Sequence, residues 1–189
     1  MRSFALGRIA LFLLASCLAL GASPAARADS AHESPVVIFL VRHAETLPSS
    51  PEESPRNPHL DERGLERAKS LAHLLGDAAL TTLFSSDYHR TRETVAPVAG
   101  LLGLHVTLYD PGALEEFAAK LRSTPGRHLV AGHSNTTPQL VEHLGGDPGD
   151  PIDDAWEYDR LYVVTIDSTG RISTVLLRYG EPSSPSTGH

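Results

Sequence analysis

The chain has 189 residues, 41% of them hydrophobic, which suits one domain with a buried core. A formal charge of -7 argues against a basic face for nucleic acid or anionic membrane, and the single cysteine, Cys17, leaves the mature domain without disulfide or thiol chemistry. Anion recognition must then be local, from a few converging Arg and His side chains.

Arg2 and Arg8 give a basic start, residues 9–20 are apolar, and Ala26-Arg27-Ala28 offers a small-x-small cleavage site before Asp29. This is the pattern of a secretory signal over residues 1–28, too short for a transmembrane span. Leu14-Ala15-Ser16-Cys17 resembles a lipoprotein processing box that would place a lipid anchor on Cys17, but the apolar run through Leu18-Ala19-Leu20 favours simple secretion. Either route exports the protein to a periplasmic or extracellular address.

The run Val36-Val37-Ile38-Phe39-Leu40-Val41 reads as a strand buried on both faces, at the centre of a parallel sheet. It ends in Arg42-His43-Ala44-Glu45-Thr46. Residues 47–59, with four prolines and three serines, form an irregular loop over that strand end. A helix opens near Leu60 with Asp61 as N-cap, keeps its apolar period through Leu65, Ala68, Leu71, Ala72 and Leu75, and stops at Gly76. A short strand at 81–85 leads to a second helix capped by Ser86 or Asp87, its inner stripe running from Tyr88 through Val95 to Leu102. Pro97 is expected to kink that helix or end it early.

Residues 105–109 form a third strand with a turn at Asp110-Pro111-Gly112, and Leu114, Phe117, Ala118 and Leu121 line one face of a third helix. Residues 128–132 are a fourth strand, and Thr137-Pro138 begins a fourth helix with Leu140, Val141 and Leu144 inward, ended by Gly145-Gly146. Residues 161–166 and 172–177 make a hairpin, and the Ser/Pro/Gly-rich tail 181–189 is expected to be disordered. The alternation predicts one domain over 29–180. Its class is α/β: a three-layer sandwich with a mostly parallel sheet, helices on both faces and an antiparallel C-terminal hairpin at the edge.

In such sheets, ligands bind beyond the carboxyl ends of the strands. A lone Arg-His pair there reads as a basic strand end fraying into a loop. Here the second strand ends in Ser85-Ser86-Asp87-Tyr88-His89-Arg90 and the fourth in Gly132-His133-Ser134-Asn135, so Arg42, His43, Arg90 and His133 can converge. Two guanidiniums and two imidazoles suit a tetrahedral oxyanion, and a neutral imidazole can attack phosphorus.

These segments resemble the histidine phosphatase superfamily, also called phosphoglycerate-mutase-like, over roughly residues 36–178. Val41-Arg42-His43-Ala44-Glu45-Thr46 is similar to its Arg-His-Gly element, with Ala44 in place of the Gly. Residues 85–94 match its second-Arg segment, Leu129-Val130-Ala131-Gly132-His133 its second-His segment, and residues 60–68 its Leu-Thr-x-x-Gly-x-x-Gln-Ala segment. The resemblance implies a phosphatase in which His43 becomes phosphorylated while Arg42, Arg90 and His133 hold the equatorial oxygens, with no metal or other cofactor. It also implies a small phosphorylated substrate, with Thr46 and Asn135 as added polar contacts. Asn135 suits the fourth helix's N-cap equally well.

The general acid is the open part of this picture. The family's mutases carry a Glu in an insertion before the second His, and its acid phosphatases an acidic residue just after it; neither is present here. Asp110 is the first choice, beside its alternative as a turn former, and Glu115 the second. His89, next to Arg90, is a further substrate-contact candidate, whereas His73, His105, His128 and His143 read as surface or satisfied positions. A zinc site on His43 and His133 would need Glu45 or Asp110 as third ligand, beside two repelling arginines. Trp156 and Tyr158 are expected at the pocket rim or packed on the edge strand. The expectation is therefore an exported, metal-independent phosphomonoester hydrolase of the compact branch. Its rival is a phosphate- or phosphosugar-binding protein that kept the pocket and lost turnover.

Overall fold

A computed structural model describes residues 35–48 and 57–185. The signal segment with Cys17, the middle of the 47–59 loop and residues 186–189 lie outside them. No helix of the described residues is long and apolar enough to cross a membrane.

The first strand, β1 (Val36–Arg42), lies inside the sheet, hydrogen-bonded in parallel to β4 (Gly126–Gly132) and antiparallel to β5 (Arg160–Ile166). With β2 (Thr82–Ser85), β3 (Val106–Leu108) and β6 (Ile172–Arg178), the sheet order is β3-β2-β4-β1-β5-β6. Alternate residues of β1 serve opposite faces. Ile38 and Leu40 join the core that holds Phe117 and Leu121 of α3 (Leu114–Arg122) and Leu140 and Val141 of α4 (Thr136–His143). Val41 joins the core that holds Leu71 and Leu75 of α1 (Glu62–Leu75) and Val95 and Val98 of α2 (His89–Leu102). The result is the expected three-layer α/β sandwich, with the last hairpin antiparallel on one edge.

Asp61 caps α1 as expected, its Oδ1 accepting from Gly64 N at 2.8 Å. The inward stripe is shifted, however. Leu65 is 47% exposed while Arg67 is only 3% exposed, because Arg67 has a buried carboxylate to meet. Arg67 Nε and Nη2 donate to the two oxygens of Glu45 at 2.9 and 2.7 Å, and Nη1 donates to the Tyr179 carbonyl at 2.9 Å. Gly64 lets the helix come this close: a Cβ there would lie 2.1 Å from the Glu45 carbonyl oxygen.

The second helix differs from expectation at both ends. It starts at His89 after Tyr88, without a side-chain cap, because the Ser86 hydroxyl is engaged elsewhere. It also runs through Pro97 to Leu102 and closes on left-handed Gly103. Val95 and Val98, fully buried on either side of Pro97, hold it against the sheet, and that packing outweighs the lost hydrogen bond. At the carboxyl terminus the expected disorder from Glu181 meets two tethers: Ser183 Oγ accepts from Tyr158 N at 3.0 Å, and Ser183 N donates to Asp159 at 3.1 Å.

Candidate active site

The register aligns Arg42 with Gly132 and Ser85 with Ala131, so the ends of β1, β2 and β4 open on one edge of the sheet. A cleft of about 700 Å³ lies there, lined by Arg42, His43, Arg90 and His133 among others. The four residues expected to converge do so.

His43 is nearly buried and its backbone N–H donates to Gly132 O at 2.9 Å, which ties it to the end of β4. Its Nδ1 lies 2.8 Å from the Ala44 carbonyl. A carbonyl only accepts, so Nδ1 carries the proton and Nε2 keeps its lone pair. Burial lowers the His43 pKa to about 3, opposed by that hydrogen bond and reinforced by Arg42, Arg90 and His133. The imidazole is therefore neutral near pH 7. Ala44 N donates to Thr94 Oγ1 at 2.9 Å, which fixes the end of β1 to α2.

His133 sits edge-on to His43, with ring centroids 5.5 Å apart. Arg90 Nη2 donates to its Nδ1 at 3.3 Å, so the proton is on Nε2, which donates to Ser86 Oγ at 2.9 Å. Ser86 passes the chain to Thr91 Oγ1 at 3.1 Å, and Thr91 donates to the Ser86 and Tyr88 carbonyls. Burial first, then the charges of Arg90 and Arg42, bring the His133 pKa to about 4. The Arg90 guanidinium lies 4.5 Å from the centroid of the Tyr88 ring. Ser86 and Thr91 were not expected at the site. The antiparallel-free run of parallel strand ends brings the first turn of α2 against His133, and no sequence spacing announces that contact.

Arg42 differs most from expectation. Its Nη1 donates to the Asp153 and Glu157 carbonyls, both at 3.0 Å. Its Nη2 donates to the Asp154 carbonyl at 2.7 Å and to Asp154 Oδ1 at 2.8 Å. Tyr158 covers the guanidinium, 4.0 Å from the ring centroid. The terminal nitrogens are thus committed to the segment before β5, and Nε is buried without a partner among the described residues. Arg42 brings positive charge to the cleft, rather than the open fork the sequence suggests.

Asp154 is the acidic residue that sequence reasoning missed. It lines the cleft, is 82% exposed, and accepts from Ser134 Oγ at 2.5 Å as well as from Arg42. The Ser134 hydrogen bond, and then the charge of Arg42, hold its carboxyl below the usual range against a burial penalty. It arrives because β5 runs antiparallel to β1, which puts the segment preceding β5 on the catalytic edge.

Thr46 and Asn135 line the cleft, and Asn135 makes no side-chain cap to α4. Asp110 is not among the cleft residues; it is exposed and its carboxylate accepts from Gly112 N at 2.8 Å, the turn-forming alternative. Glu115 lines a neighbouring groove with Gln139 and His143. His89 is also off the cleft, stacked on His59 at 4.2 Å between centroids. Tyr158 lines the cleft and Trp156 does not. Both oxygens of Glu45 are taken by Arg67, so neither Glu45 nor Asp110 stands as a third zinc ligand beside His43 and His133.

A neutral, tautomer-fixed imidazole between two guanidiniums on a sheet edge defines a phosphoryl-transfer centre of phosphatase type. The sequence model of the histidine phosphatase superfamily (branch 1) matches residues 38–119, a segment that holds Arg42, His43 and Arg90. Over that segment the chain is similar in sequence to this superfamily.

No curated protein matches the chain in sequence. Among solved structures, the protein histidine phosphatase SixA complexed with tungstate is similar at 18% identity and a TM-score of 0.60, covering 75% of this chain and 96% of that one. A structure described as a candidate phosphohistidine phosphatase SixA from Agrobacterium tumefaciens is 20% identical at a TM-score of 0.55, covering 78% and 99%. Phosphoglycerate mutase from Bacillus anthracis is 14% identical at a TM-score of 0.57, covering 77% and 94%. At these identities the likeness is one of fold.

Proposed function

We propose that this phosphatase is an exported, metal-independent phosphomonoester hydrolase that works through a phosphohistidine at His43. The observation that carries the proposal is the hydrogen bond from His43 Nδ1 to the Ala44 carbonyl, which keeps Nε2 unprotonated beside Arg90. In the first step the Nε2 lone pair forms an N–P bond while the bond from phosphorus to the leaving oxygen breaks. In the second, water attacks phosphorus, its proton passes to a base, and the N–P pair returns to Nε2. Arg90 and the charge of Arg42 stabilise the negative charge spread over the phosphoryl oxygens.

Asp154 suits the second step best. Held ionised, it is ready to accept the proton of the attacking water and is a poor reservoir of a proton for the leaving group. That favours small substrates whose leaving group needs little protonation, such as phosphoramidates or activated phosphoesters. The names of the SixA structures point to phosphohistidine, whereas an exported address argues for a small or envelope-associated phosphorylated compound, and members of that class with a good leaving group are the substrates proposed.

The test is phosphate release from p-nitrophenyl phosphate after EDTA treatment, with trapping of a ³²P adduct that is acid-labile and base-stable. Turnover that vanishes with EDTA, or an adduct that survives in His43→Ala, would refute the proposal. The second reading is a phosphate binder without turnover, favoured by the carboxylate of Asp154 resting on Arg42. Bound phosphate without hydrolysis of any phosphomonoester would select it.

A further inference from the structure

Beside the cleft, three ligating side chains meet that the phosphatase mechanism does not use. His89 and Glu93 stand four residues apart on α2, so they share one face of the helix. His59, in the segment leading to α1, reaches the same spot: its Nδ1 contacts Glu93 Oε1, and its ring stacks on His89 at 4.2 Å with an interplanar angle of 19°. One ligand atom from each of the three lies within 4.8 Å of the others. The second carboxylate oxygen of Glu93 accepts from Leu60 N at 2.9 Å, which orients the first toward the two imidazoles.

We propose that His59, His89 and Glu93 form a divalent metal site for a zinc-class ion, separate from the phosphoryl centre. Two imidazoles and one carboxylate are a donor set that zinc accepts at about 2.0–2.2 Å, with water completing a tetrahedron. The cluster needs only a small opening of the ligands around the ion. The Leu60 N–H on the outer carboxylate oxygen is the kind of support that fixes a metal-bound carboxylate. No arginine of the phosphate site enters this donor set, in contrast to the His43–His133 pair.

The location gives the ion a structural role. His59 follows Pro58, a cleft-lining residue, and His89 precedes Arg90. Asn57 Oδ1 already accepts from His89 N at 2.7 Å, a first link between these segments. A metal would add a second link, clamping the wall carrying Pro58 to the first turn of α2. It would not touch the phosphoryl group.

The experiment uses chelator-stripped, dialysed protein titrated with Zn²⁺ and, separately, with Co²⁺. One Zn²⁺ per chain is expected by calorimetry, together with visible d–d bands of four-coordinate Co²⁺. A hundredfold excess of Zn²⁺ over its Kd should raise the thermal midpoint by roughly 5–10 °C. His89→Ala should weaken binding by at least about 100-fold and abolish that shift. Glu93→Gln, which keeps an acceptor for Leu60 N, supplies a second variant should the first fold poorly, and His73→Ala on α1 should bind as wild type. Absence of stoichiometric binding in the wild type, or binding that persists in both His89→Ala and Glu93→Gln, overturns the proposal. Because the readouts are binding and stability, they stand or fall separately from phosphatase turnover.

Discussion

Asp154 Oδ1 lies 2.8 Å from Arg42 Nη2, on the donors that would otherwise meet a phosphoryl oxygen. The cleft thus holds its own anion, and a substrate must compete with it. Asp154→Asn removes the charge with little change of shape. Inorganic phosphate, assayed as a competitive inhibitor, should then bind about tenfold tighter. Turnover of the phosphohistidine should slow by about 10²-fold or more if the carboxylate is the base for water. Unchanged phosphate affinity would show that the two anions do not share Arg42.

His43, the proposed nucleophile, is unprotonated over the whole physiological range. With the His43 pKa near 3 and that of His133 near 4, neither imidazole should produce an acid limb in kcat/KM between pH 8 and 5. Any fall in that range should instead follow titration of the substrate phosphate, and so move with substrate pKa when a series of phosphoesters is compared. An acid limb near the ordinary His value of about 6.5, identical for all substrates, would contradict this.

The same two groups shape acid stability. Both are lowered in the folded protein, so below pH about 6.5 the unfolded chain binds protons that the native one refuses. Their contribution is complete above that pH and declines as pH falls toward the folded values. Urea unfolding should therefore show stability dropping from pH 7 to 4.5, with a shallower slope in His133→Asn. An equal slope in the variant would remove His133 from the account.

Ser86 is expected to act on substrate only through His133, which its hydroxyl holds at 2.9 Å. Ser86→Ala leaves His133 Nε2–H without its acceptor and frees the ring to turn, and a misplacement of about 1 Å is enough to cost roughly 10²-fold in kcat. Rescue by Ser86→Thr, with KM little changed throughout, would mark a positioning role. A general loss of folding, seen as a lowered thermal midpoint of the same size in both variants, would mark a merely structural one.

Glu45, adjacent to the chemistry in sequence, is expected to matter for stability rather than turnover. Glu45→Ala strands the buried Arg67 guanidinium and should cost about 3–5 kcal/mol in chemical denaturation. Gly64→Ala should also destabilise, because its Cβ would press on the Glu45 carbonyl oxygen. A loss below about 1 kcal/mol in Glu45→Ala would mean that water or another anion replaces the carboxylate.

The sheet, its helices and the meeting of Arg42, His43, Arg90 and His133 were legible because each depends on local periodicity and on the shared direction of parallel strands. What escaped depends on contacts between distant segments. Arg67 sits where the apolar period expects Leu65, since one buried carboxylate outweighs a half-turn of pattern. Asp110 reads equally as acid or turn residue, and only its bond to Gly112 N separates the two. Asp154 was hidden because its loop precedes a strand, and that loop reaches the site only once β5 is known to run against β1.

That reversal has an evolutionary consequence. Six of the contacts on Arg42 and Ser134 come from residues 153–158, which join the site through a connector rather than through the sheet's interior. Lengthening such a connector costs little, about 0.6 kcal/mol per doubling of its length. His43, at the end of β1, and Arg90, on α2, belong to the sheet-and-helix framework, while the anion facing them rides on an exchangeable part. Leaving-group preference in this architecture can therefore change by replacing one surface segment, with the strand that carries His43 untouched.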